Sequence, residues 1–298
     1  MSSPTPTTSS TTPSTTPGRW AAILRGAARQ TLIELRVQLF SPILASWLFL
    51  PAMGLIVLFF LRDLQVPGSD VSVAQLGIPG ILVMSLLSSG LLGIAGQLLT
   101  ERDDGTLLRA KTVPGGMNSR LIGDVAVNIG TALGPMLILL ALASVLVRGV
   151  LPTDLGSWWT LLWVSLLGLL AALPFGAICG AMLRSPMLLW TVALAAYGLL
   201  AMSGVFYPVQ AMPSWVQAVA QLLPVYWIGL GLRHAMLPPE AVALEIGESW
   251  RVLETVAMLG GWAVLGLAVA PIALRRMARR QSGSLVAAAR ERVLSQGY

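Results

Sequence analysis

The chain has 298 residues, of which 55% are hydrophobic and only 11% charged, with a mean hydropathy of +0.77 and a formal net charge of +6. A soluble globular domain carries about 25% charged residues, so a water-faced surface is excluded and several apolar runs of about 20 residues make this a polytopic membrane protein. The positive charge clusters beside the apolar runs, where it sets membrane orientation and does not imply nucleic acid, and the single cysteine, Cys179, excludes a disulfide framework or a cysteine-based metal site.

Residues 1–18, MSSPTPTTSSTTPSTTPG, are rich in Ser, Thr and Pro without charge and read as a disordered tail, not as a signal peptide. From Arg19 to Phe40, Trp20, Ile23, Leu24, Leu32, Leu35 and Leu39 recur at helical spacing between Arg25, Arg29, Glu34 and Arg36. This pattern predicts an amphipathic helix on the inner membrane surface, or equally a plain extension of the first span.

The expected fold is all-α, with six transmembrane helices over about 43–61, 76–99, 125–147, 158–183, 187–206 and 252–274. Pro51 is expected to kink the first, and the Gly- and Ser-rich second to pack closely against its neighbours. Arg184-Ser185-Pro186 reads as a tight reversal between the fourth and fifth. Between the fifth and sixth, residues 205–237 hold two short apolar helical patterns, with Pro213 and Pro224 placed for their first turns. They predict an external re-entrant hairpin, with Trp215, Tyr226 and Trp227 at headgroup level, followed by an exposed acidic return through Glu240, Glu245 and Glu248.

Basic residues fix the expected orientation. Arg19, Arg25, Arg29, Arg36, Arg102, Arg109, Lys111, Arg120, Arg184, Arg275, Arg276, Arg279, Arg280, Arg290 and Arg292 fall on one side, and Arg62, Arg148, Arg233 and Arg251 on the other. The larger set belongs in the cytoplasm, placing both termini there, in an inner or plasma membrane.

The charged interior loop, Gln97 to Asp124, includes Gly105-Thr-Leu-Leu-Arg-Ala-Lys111-Thr112, one glycine short of a phosphate-binding loop. That loop would need a preceding buried strand and a βαβ unit, whereas this segment follows a membrane span. A helical reading fits better. Thr100, Asp103 or Asp104 can cap a short helix, Leu107 and Leu108 form a docking face, and Pro114-Gly115-Gly116 ends it. A simple solvated connection is the alternative.

No catalytic constellation is evident. His234 is the only histidine, and the interiors of the six expected spans hold no ionisable side chain other than Cys179 and Tyr197, Glu254 standing at the very start of the last. A proton-driven carrier needs an intramembrane carboxylate or its equivalent, so an apolar pathway driven by an external energy source is expected, for an amphipathic or lipid-like substrate. The competing readings are a non-transporting membrane scaffold or sensor that recruits a soluble partner, and an intramembrane enzyme.

The segments ERDDGTLLRAKTVP (101–114) and SGVFYPVQAMPSWVQAVAQLLPVYW (203–227), set among six spans, resemble the permease subunits of ABC-2 type exporters, including the daunorubicin/doxorubicin resistance permeases. The likeness runs over about residues 20–280, within a membrane domain taken as 19–280 with a cytoplasmic tail at 281–298. It implies that Glu101, Arg102, Asp103, Asp104, Gly105, Thr106, Leu107, Leu108 and Arg109 engage a separate ABC ATP-binding subunit. It also implies a connecting helix over 19–40 and re-entrant helices over 208–235. The external candidates on the exit path are Phe206, Tyr207, Pro208, Met212, Pro213, Trp215, Pro224 and Tyr226. The chain itself then binds no cofactor, and ATP and Mg belong to the partner. The other expected partners are a second permease copy or paralogue and membrane lipids, with no nucleic acid.

Overall fold

A computed structural model describes residues 42–103, 116–183 and 185–295. The expected tail, the amphipathic segment 19–40, Arg184 and residues 104–109 of the docking loop lie outside the described residues. Among the described residues every regular element is helical, apart from a short antiparallel bridge between Gln65 and Ser72.

Helix α1 (Pro42–Phe60) carries Pro51 inside it and packs against α2 (Val73–Leu87). Ser72 starts α2 with a reciprocal cap. Its hydroxyl accepts from the Gln75 N–H at 3.1 Å while its own N–H donates to Gln75 Oε1 at 3.0 Å, satisfying two donors that a helix start otherwise leaves open. A π-helical turn, Ser88–Gly93, follows α2 and leads into α3 (Ile94–Asp103), so α2, the turn and α3 form one apolar stretch over Val73–Thr100.

Helix α4 (Gly116–Leu146) returns along α2, and α5 (Leu155–Met182) starts at Asp154, whose carboxylate accepts from the Ser157 N–H at 3.0 Å. Helix α6 (Pro186–Met202) ends before the 206 expected for the fifth span. Gly204, at φ +67°, turns the chain there, and a Cβ on it would sit 1.9 Å from Val209 Cγ2, so no other residue fits without moving that turn. Short helices α7 (Ser214–Leu222) and α8 (Pro224–Met236) meet at 90°, and α9 (Val252–Ser295) closes the described chain.

Four stretches among the described residues are long and apolar enough to cross a membrane: Val73–Thr100, Val127–Leu146, Leu155–Met182 and Val252–Leu274. The bent pair α7–α8 makes a fifth if it crosses as one broken span, while Leu48–Phe60 and Met187–Met202 are shorter apolar helices. The protein is therefore an all-α, multi-pass membrane protein with four to five long apolar helices.

Helix α5 is the hub, touching α3, the π turn, α8 and α9. Small residues permit the approach: a Cβ on Gly176 would lie 2.6 Å from the Leu91 carbonyl oxygen, and one on Gly231 2.6 Å from Val164 Cγ2. The most apolar window of Val73–Thr100 is 83% buried and that of Val252–Leu274 only 22%. The former is thus the bundle's centre, and the latter leaves Val264, Leu265, Leu267 and Ile272 bare, as a lipid-facing helix would.

Candidate functional site

Two regions carry the polar structure of the bundle: the connection between α6 and α9, and the π turn inside the central stretch. The first begins where α7 meets α8. A helix end leaves carbonyls without intrahelical partners, and here two tryptophans supply donors. Trp227 Nε1 donates to the Gln221 carbonyl at 2.7 Å and Trp262 Nε1 to the Leu222 carbonyl at 3.0 Å. Arg251 adds a bond to Gln221 Oε1 at 2.7 Å, pairs with Glu254, and holds its guanidinium 4.8 Å above the Trp227 ring. The bend is thereby fixed from α8, from α9 and from the chain leading into α9.

At the other end of α8, Arg233 is 1% exposed and Glu245 3% exposed. Arg233 Nη2 donates to Glu245 Oε2 at 3.1 Å, its Nε donates to Oε1, and its Nη1 reaches the carbonyl oxygens of Gly204 at 3.2 Å and Val205 at 3.3 Å. Gln210 Nε2 donates to the Glu245 backbone carbonyl. Two buried ions are tolerated only when paired and hydrogen-bonded, and this guanidinium meets both conditions. The expected exposed return is corrected accordingly: Glu240 and Glu248 are exposed, but Glu245 is an internal anchor. Arg233 is likewise interior and does not act as a surface topology charge.

The expected exit-path residues fall in different settings. Phe206 lies against Gly80 of α2, where a Cβ would come within 2.6 Å of its ring. Tyr207 donates to the Ala201 carbonyl, and burial pushes its phenol above the usual range. Pro208 precedes a short 3₁₀ turn over Val209–Ala211, Met212 follows it, and Pro213 precedes α7. Pro224 opens α8. Trp215 is 62% exposed. Tyr226 and Trp227 are core residues, 0% and 2% exposed, because α8 turns this face onto α2 and α5.

The π turn holds a second polar cluster that the sequence reading did not single out. Ser88 Oγ donates to the Met84 carbonyl at 2.7 Å and lies 2.8 Å from Tyr197 Oη of α6. The hydroxyls of Ser85 and Ser89 are buried without a hydrogen-bond partner. A π turn widens the helix and occurs often at functional positions. Serines at 85, 88 and 89 were a visible signal, but three serines alone do not specify a widened turn.

Of the docking candidates, Glu101, Arg102 and Asp103 belong to the last turn of α3, and the remaining ones lie outside the described residues. The central stretch therefore runs from the π turn straight into the charged loop. Among the described residues, no group of three or more His, Cys, Asp and Glu side chains could hold a metal ion.

A family model described as ABC-2 family transporter protein matches residues 61–271, from the end of the first apolar helix to the last one. The chain belongs to this ABC-2 transporter family. The matched stretch contains the π turn, the charged loop and the α7–α8 pair. No curated protein matches the sequence. As an ABC-2 family member the chain is a non-catalytic membrane permease subunit, and permeases of this type generally work with an ATP-binding subunit.

Proposed function

We propose that this ABC-2 permease is the membrane half of an ATP-driven exporter for amphipathic, drug-like or lipid-like molecules, with ATP hydrolysis supplied by a separate subunit. The observation that carries the reading is the family match over 61–271. The scarcity of charge in the spans supports the substrate class, because an apolar pathway suits a molecule that already partitions into lipid.

In this reading six helices cross the membrane, α1 and α6 among them, and both chain ends are cytoplasmic. Helices α7 and α8 dip into the outer leaflet without crossing it. Glu101 to Arg109 dock on the ATPase, and ATP-driven closure of two ATPases moves two permeases through α3 and the π turn. Within the family, the chain resembles the daunorubicin/doxorubicin resistance permeases in kind.

The test is reconstitution of this chain with its ATP-binding subunit in sealed vesicles, following amphipathic fluorescent compounds. Vectorial, ATP-dependent movement is expected. A stable complex that moves nothing across a broad panel of lipids and drugs would instead favour a scaffold.

A further inference from the structure

A cavity of about 550 Å³ opens at the end of the bundle away from the charged loop. Four separate chain segments build it: the start of α2 at Gln75, the 149–157 connection into α5, the end of α8 with the prolines after it, and Trp250 just before α9. Its size falls within the range of small-molecule sites, roughly 300–1,000 Å³.

The walls are held in place from within. Gln75 Nε2 donates to the Arg148 carbonyl at 3.2 Å, tying the α4–α5 connection to the start of α2. Gly149, at φ +73°, makes that approach possible, since a Cβ there would meet Gln75 Nε2 at 3.2 Å. Pro152, Pro238 and Pro239 stiffen two sides. A preformed wall spares a ligand the ordering cost of binding.

The lining has a sign. Asp154 is the one charged side chain in it, and neither lysine nor arginine lines it. Ser157 donates once to each Asp154 oxygen, from Oγ at 2.7 Å and from its N–H at 3.0 Å. Asp154 is itself an exposed residue. The last turn of α8, at Ala235 and Met236, brings the negative end of a helix dipole to the same space. The positive end of α5 also opens there, and Asp154 caps it. One side is aromatic: the His234 ring stacks on Trp250, centroids 5.3 Å apart and 23° between planes.

We infer that this cavity is a binding site for an organic cation, a quaternary or protonated amine with a compact apolar body. The ammonium pairs with Asp154 and the end of α8, and the apolar body lies against Trp250 and the prolines. The site is independent of the export reading, because binding here needs neither ATP nor a partner subunit.

The test is calorimetric titration of the full-length protein in detergent with phenyltrimethylammonium, with benzyl alcohol as a neutral and phenylacetate as an anionic comparison. Saturable binding is expected for the cation, at least tenfold tighter than for either comparison. Asp154→Asn keeps an N-cap oxygen for α5 and removes the charge, and should weaken the cation at least tenfold in a protein that still unfolds cooperatively. Trp250→Leu should weaken it severalfold. Absent saturable cation binding, equal affinity for benzyl alcohol, or unchanged affinity in both variants would each overturn the assignment.

Discussion

Arg233 and Glu245 form an ion pair inside the bundle, twelve residues apart in sequence, that joins the end of α8 to the chain leading into α9. Through Gly204 and Val205 the same guanidinium also reaches the turn after α6. Together with the bond from Gln210 to the Glu245 backbone carbonyl, this ties three segments around one buried polar anchor.

Removing one partner leaves the other buried and unpaired, and such loss costs about 3–5 kcal/mol in measured cases. Glu245→Ala and Arg233→Ala should each lower the thermal midpoint of the detergent-solubilised protein strongly. The double variant Arg233→Met/Glu245→Leu should recover much of the loss, since an apolar pair of similar volume carries no desolvation penalty. Equal destabilisation in single and double variants would show that the pair's charges are not what the bundle depends on.

Close helix approach gives a second prediction. At Gly176 a Cβ would lie 2.6 Å from the Leu91 carbonyl oxygen and 3.1 Å from that of Gly90, both backbone atoms of the π turn. At Gly198 a Cβ would meet nothing within 4 Å. Alanine at a free helical position gains about 0.5–1 kcal/mol over glycine. Gly198→Ala should thus be neutral or stabilising in thermal unfolding, and Gly176→Ala destabilising by about 1–3 kcal/mol through overpacking.

The long apolar helices were legible because runs such as 76–99 and 158–183 admit no other solvent. The place where α6 ends was less so. Hydropathy continues through Val205 and Phe206, and only the conformation of Gly204 stops the helix. The burial of Tyr226 and Trp227 was hard to read for a related reason: aromatic residues beside a proline suit an exposed position equally well, and only the 90° bend turns them inward. Glu245 sits among surface-type acids, and nothing local marks its pairing with Arg233. Asp154, by contrast, was legible as a solvated cap because aspartate before an apolar run commonly starts a helix.

Asp154 makes that cap dependent on pH. The Ser157 hydroxyl, and then its backbone N–H, hold the carboxylate below its ordinary value of 3.8. A lowered folded-state value means the contribution is complete above 3.8 and is lost as pH falls through the lowered value. The stability difference between wild type and Asp154→Ala should therefore be constant near neutrality and shrink in strong acid. Thermal midpoints in a pH series check this, and a difference that grows on acidification would contradict it.

The last prediction concerns the proposed ATPase dock. Leu107 and Leu108 lie in the loop that α3 enters, between the acidic run at Glu101–Asp104 and Arg109. A leucine side chain fully buried on association is worth about 1.5–3 kcal/mol through the apolar area it removes from water. Replacing both by alanine removes apolar area without changing charge, so membrane insertion and the positive-inside bias should be unaffected. Co-purification with the ATP-binding subunit should fall by at least tenfold, or the ATPase should lose its stimulation by the permease. Substituting Lys111, whose charge serves orientation in this reading, should leave the complex intact. If the double alanine variant assembles and couples like the wild type, the dock lies elsewhere in the loop.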